Sequence, residues 1–164
     1  MGDIGRGEVK YINNESIEYG IDLDHLILRK GDILFNTRNT PELVGKTAIF
    51  YSPGNYTFDN NLMLLRFKEV VDPSFLNQLM NSGRVLKKLF SISSGTTSVA
   101  AIYWNDLKKI KLKLPPIDIQ EKKSANIESL EKIKLKINNK IEFLKNLKIS
   151  ISSDLLSGNK KVFL

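Results

Sequence analysis

No cysteine occurs in the 164 residues, which excludes disulfides and thiolate-ligated metals and is compatible with the cytosol. A single histidine, His25, leaves no histidine cluster for a metal. Ser/His/Asp and Cys/His catalytic sets are excluded with it. In its context, Asp22-Leu23-Asp24-His25-Leu26, it reads as an exposed or capping residue rather than a catalyst. No run of 18 apolar residues is present, so no transmembrane helix is expected, and the opening Met-Gly-Asp-Ile-Gly-Arg does not read as a signal peptide. Proline and glycine are both absent between Pro116 and Gly158. That last absence shapes the chain most, because these residues are the usual helix breakers.

The uninterrupted stretch carries apolar residues at Ile127, Leu130, Ile133, Ile137, Ile141, Leu144, Leu147, Ile151 and Leu155. The steps alternate between pairs of threes and pairs of fours, a mean of about 3.5 residues, which is the coiled-coil period rather than that of a straight surface helix. Pro115-Pro116 suits the first turn, where a missing N–H costs nothing, and Gly158 suits the end. The spacing predicts one long helix over 115–158 that needs a partner helix for most of its seam. The tail 159–164 reads as frayed. Hydrophobic content of 41% supports one domain before the helix, over 1–114. Net charge is +7, which favours a polyanionic partner such as nucleic acid. Residues 1–114 hold 15 basic and 12 acidic side chains, and 115–164 hold 10 and 6. The helical share of the excess is weak support, since lysines on the outer face of a helix are ordinarily solvated.

Within 1–114 the pattern is mixed. Ile17, Tyr19 and Ile21 alternate weakly as a strand. Ile33-Leu34-Phe35, Ala48-Ile49-Phe50-Tyr51 and 61–67 read as strands, the last with Leu62, Leu64 and Arg66 on one face and Met63, Leu65 and Phe67 on the other. Asp72-Pro73 starts a helix, Asp as cap and Pro at the first position. A second short helix covers 84–90, with Arg84, Lys87 and Lys88 on a solvated face that could also reach phosphates. Ser91 to Ser98 reads as a loop, Asn105-Asp106 caps a turn, and Ile110, Leu112 and Leu114 alternate with lysines as a strand. The expected fold is α+β: a compact mixed domain, then a single long coiled-coil helix.

Three catalytic motifs are only approached. Val44-Gly45-Lys46-Thr47 ends like a phosphate-binding loop, but Thr40 stands where the first glycine is needed and a strand pattern follows. Asp72-Pro73-Ser74-Phe75 lacks the second proline of the amino-methyltransferase motif, and capping accounts for it. Asp106 with Glu121-Lys122-Lys123 has a nuclease spacing, but Glu121 falls in a helix. Catalysis by this chain is not expected.

Lys30-Gly31-Asp32-Ile33-Leu34-Phe35-Asn36-Thr37-Arg38 with Glu42-Leu43-Val44-Gly45-Lys46, then Ser94-Gly95-Thr96-Thr97, then Leu107-Lys108 through Leu114-Pro115-Pro116 and Gln120-Glu121 into a long helix, keep one order and spacing. Together they resemble the specificity subunit of type I restriction-modification systems, over roughly residues 28–158. The Pro-Pro-x-x-x-Gln junction is the most specific part. The resemblance implies a non-catalytic, cytoplasmic prokaryotic protein whose target-recognition domain reads a DNA half-site. A full subunit carries two such domains and two antiparallel helices, so this chain is expected to be a half-length copy that begins inside its domain. Expected partners are double-stranded DNA, a methyltransferase subunit that uses S-adenosylmethionine, a restriction subunit that uses ATP and magnesium, and a second copy or another specificity half paired through the helix. No cofactor is expected in this chain, and no membrane.

Arg38 is suited to bidentate reading of guanine, and Asn36 and Asn39 to adenine. Thr37, Thr40, Lys46, Ser94, Thr96 and Thr97 suit phosphate contacts, which position without encoding sequence. An ordinary polar loop is the plain alternative for each. The rival reading of the whole is a vestigial or regulatory coiled-coil adaptor that binds proteins and not DNA.

Overall fold

Strand β2, Ile33–Asn36, is buried along its whole length because it is an inner strand. In the computed structural model, which describes residues 5–9 and 26–157, it lies between β4 (Thr47–Ile49) and β5 (Leu62–Leu65), antiparallel to both. Strand β1, Gly7–Glu8, runs parallel to β4 and completes the order β1-β4-β2-β5. The strand expected at 17–21, and His25, lie outside the described residues.

Side chains alternate across this sheet and divide the core in two. Ile33 and Phe35, with Met63 and Leu65, face helices α1 (Pro73–Met80) and α2 (Gly83–Ser91), where Leu76, Met80, Val85 and Leu89 close the larger core. Leu34 and Ala48, with Leu62 and Leu64, face the other way onto Leu28, Phe50, Tyr56 and Phe58. Phe50 meets Tyr56 edge-on at 5.5 Å between ring centroids. The two faces expected of 61–67 are thus found. Asp72 caps α1 through its carboxylate, which accepts from the Phe75 N–H at 2.6 Å, with Pro73 at the first position.

Polar side chains fix the layers to one another. Asn81, after α1, donates to the Thr47 carbonyl and hydroxyl at 2.9 and 2.8 Å, and Asn77 donates to the Gly7 carbonyl at 2.9 Å. Asp32, 2% exposed, accepts both arms of Arg66 at 2.7 and 2.6 Å as well as the Arg29 N–H. That hydrogen bond raises the Arg66 pKa above its ordinary value.

Two expectations need correction. The stretch 91–98 is not a plain loop: β6 (Ser94–Gly95) pairs with β7 (Ala100–Ala101), and β7 pairs with β3 (Arg38–Asn39), giving a second sheet ordered β3-β7-β6. Two-residue strands of Ser, Gly and Ala carry no hydrophobic alternation, so pattern reading passes over them. Conversely, 110–114 alternates well yet joins no sheet. Ile110 and Leu112 pack on the larger core without a ladder partner among the described residues.

The turn α3, Trp104–Leu107, precedes that segment, and helix α4 runs from Ile117 to Leu156. The chain divides into two units, 1–124 and 125–164, and α4 begins in the first. Its first turns belong to the globular unit through Gln120, which is 1% exposed. The Gln120 amide donates to the carbonyls of Pro115 (2.8 Å) and Val70 (3.2 Å), and its oxygen accepts the Asp72 N–H at 3.1 Å. One side chain therefore joins the proline junction to the start of α1. In the second unit α4 continues as an unbroken helix; its 40 residues correspond to about 60 Å.

Candidate nucleic-acid interface

The small sheet brings together two segments more than 50 residues apart in sequence. Arg38 pairs with Ala101 on one side, and Ser94 pairs with Ala101 on the other. Residues in one such row share a face, so Arg38 and Ser94 flank the small Ala101, about 10 Å apart at two strand spacings. Arg38 and Ser94 are both exposed. The next row, Asn39, Ala100 and Gly95, faces the opposite way, and Ala100 is buried in the larger core. Asn39 is accordingly half-buried, and its side-chain oxygen is taken by the Thr40 N–H at 2.8 Å.

Residues 96–99 form the tip of the β6–β7 hairpin. The Thr96 N–H donates to the Val99 carbonyl at 2.8 Å, and the Thr96 hydroxyl accepts from the N–H groups of Ser98 and Val99 at 3.3 Å. Gly95 sits at φ +146°, where an added Cβ would collide with the Val99 carbonyl. Only glycine lets the strand turn so closely on its partner. Thr97 is exposed at the tip.

The segment 40–46 turns back tightly toward β2. The N–H groups of Leu43 and Val44 both reach the Thr40 carbonyl at 2.9 Å, and that of Gly45 reaches the Asn36 carbonyl at 2.9 Å. Gly45, at φ +77°, lies against Leu89 and Ile102, so this segment is packed down on α2 and held in place. A backbone hydrogen bond, and secondarily the Thr40 hydroxyl, lower the pKa of the Glu42 carboxylate from its ordinary value. Lys46 is half-buried at the end of the turn.

Of the nine expected DNA-contacting residues, the structure places Arg38, Ser94, Thr96 and Thr97 on the small sheet and its hairpin, Asn39 on the opposite face of that sheet, and Thr40 and Lys46 in the adjoining turn. Asn36 does not join them. It is 2% exposed because it continues an inner strand, and its side-chain oxygen has no hydrogen-bond partner among the described residues. Thr37 is spent on the fold: its hydroxyl donates to the Asn61 carbonyl at 2.8 Å and its carbonyl accepts the Ile102 N–H at 2.8 Å, stitching both sheets together. The residue that sequence reading passed over is Ala101, whose small side chain leaves the row between Arg38 and Ser94 open.

The sequence that builds this arrangement, a loop after a buried strand, a Ser-Gly-Thr-Thr hairpin beside it, and a Pro-Pro-x-x-x-Gln junction into a long helix, matches a described family. Residues 4–151 match the type I restriction modification DNA specificity domain. The chain belongs to this family. A type I restriction enzyme specificity subunit of Methanocaldococcus jannaschii is 28% identical over 129 residues, 77% of this chain and 30% of that protein. One of Haemophilus influenzae is 28% identical over 132 residues, 80% of this chain and 32% of that protein. The chain thus matches about a third of the length of each of these specificity subunits.

The nine residues of α4 expected to form a seam are all exposed, from 38% at Ile127 to 64% at Leu130. Leu135, Phe143, Ile149 and Leu156 are exposed as well, outside the seam. No helix among the described residues is long and apolar enough to cross a membrane, and no group of metal-ligating side chains is found among them.

Proposed function

We propose that this specificity domain reads a DNA half-site through the surface made by β3, the β6–β7 hairpin and the 40–46 turn. The observation that carries the reading is the row Arg38–Ala101–Ser94, an exposed guanidinium and hydroxyl on one strand-built face, with the hairpin tip beside it. Strands hold such groups in fixed register, as base reading requires. Arg38 supplies base contact; Ser94, Thr96, Thr97, Thr40 and Lys46 supply phosphate contact. The chain itself performs no catalysis. S-adenosylmethionine chemistry would belong to a methyltransferase subunit, and ATP and magnesium to a restriction subunit.

Helix α4 pairs antiparallel with a second copy or another specificity half, and offers a surface to the methyltransferase subunit. Its exposed apolar residues support this reading, since contiguous apolar surface of this extent on a soluble chain marks an interaction site. The same feature supports the second reading, an adaptor that binds proteins only. Duplex binding measured across a salt series separates the two. A DNA-reading domain loses affinity linearly with log salt as counterions are released; an adaptor shows no duplex binding to titrate.

A further inference from the structure

Strand β5 is an edge of the larger sheet, with β2 on one side and no strand on the other among the described residues. Ile110 and Leu112 line a common groove with β5 residues. None of the backbone groups of Lys111, Leu112, Lys113 and Leu114 makes a hydrogen bond with another described backbone group. The groove has a volume of about 590 Å³ and is floored by side chains of α1 and α2. Met63, Leu65 and Phe67 line it from the β5 side, Ile110 and Leu112 from the other, with Trp104 at its wall. Trp104 and Phe67 are 54% and 42% exposed.

We propose that this groove takes an added β-strand: an extended segment of a partner protein that alternates apolar and acidic side chains. Three features define the occupant. Two backbone stretches without a strand partner among the described residues favour an extended segment that hydrogen-bonds along the main chain. A strand places every second side chain on one face, so apolar residues at alternate positions would fill the groove. Lys111 and Lys113, both exposed, alternate with the groove-facing Ile110 and Leu112, and so favour carboxylates at the intervening positions. Arg66 adds nothing to this preference, since Asp32 already holds its guanidinium. The same lysines disfavour a second copy of this edge through like-charge repulsion.

Trp104 is the chain's single tryptophan, so its emission reports on the groove directly. The full chain is titrated with a short capped peptide alternating valine and glutamate, with one of the same composition in two blocks, and with an alternating valine–lysine peptide. The expected result is a saturable blue shift of Trp104 emission for the alternating acidic peptide, at about tenfold higher affinity than either control, a difference of about 1.4 kcal/mol. The double variant Lys111→Glu/Lys113→Glu changes only exposed residues and should reverse the preference toward the lysine peptide. N-methylation of alternate peptide amides should abolish binding. Equal response to all peptides, or none, overturns the proposal. So does a blue shift produced by raising the concentration of the chain alone, which would assign the groove to a second copy, or one produced by duplex DNA. Duplex binding through Arg38 is read separately, so failure here leaves the DNA reading standing.

Discussion

Arg38 and Gln120 both belong to the stretches that carry the family resemblance, but one is exposed and the other buried. Arg38 projects from a two-residue strand into solvent, so its removal costs the fold little. Arg38→Ala should weaken a preferred duplex by about 1–3 kcal/mol, the worth of one bidentate base contact, and relax base choice at one position. Lys46→Ala should weaken all duplexes alike and flatten the salt slope. Parallel selections from a randomised duplex pool distinguish the two effects. Gln120 is buried with all three of its hydrogen bonds made to backbone groups. Gln120→Ala leaves the Asp72 N–H and two carbonyls unpaired, and should cost about 3 kcal/mol in urea unfolding. Sequence alone does not separate these residues by exposure. Asn36 and Asn39 looked equivalent to Arg38 as base readers, yet strand position buries Asn36 and turns Asn39 toward the core side. Amide chemistry is visible in a sequence, whereas which face a side chain takes depends on strand pairing.

At the scale of elements, the legible parts were those with strong periodicity or punctuation. The capped start of α1, the buried β2 and the unbroken α4 all follow from local chemistry: an Asp-Pro cap, an apolar run, and 40 residues without a helix breaker. The β6–β7 hairpin was illegible because its strands are two residues each and made of Ser, Gly and Ala, so only the left-handed Gly95 marks it. The segment 110–114 misled in the opposite sense: its alternation reflects one apolar flank of a groove, not a paired strand. Gly95→Ala should distort the hairpin, since a side chain there meets both strain and the Val99 carbonyl, at about 1–3 kcal/mol. Loss of duplex affinity without loss of helix content by circular dichroism would place that damage at the hairpin. In α4, Leu144→Lys puts a charge into the proposed seam and should abolish helix pairing in sedimentation, whereas the exposed Lys145→Leu should not.

The molecule as a whole joins a globular unit to a helix whose apolar side chains are exposed among the described residues. If α4 sets the distance between two recognition domains, its length becomes a property of the DNA target. A seven-residue insertion after Leu144 preserves the seam and adds about 10 Å. That corresponds to roughly three base pairs between inverted half-sites. A four-residue insertion should disturb pairing locally instead. The central claim, that the β3–β7–β6 surface reads DNA, is tested most directly by selection of duplexes from a randomised pool by the purified full chain, with and without Arg38→Ala. The account predicts that the unaltered chain enriches a defined motif, that its affinity for that motif falls steadily with log salt, and that Arg38→Ala loses discrimination at one base pair. Enrichment of no motif, or of the same motif with undiminished affinity by Arg38→Ala, would contradict it.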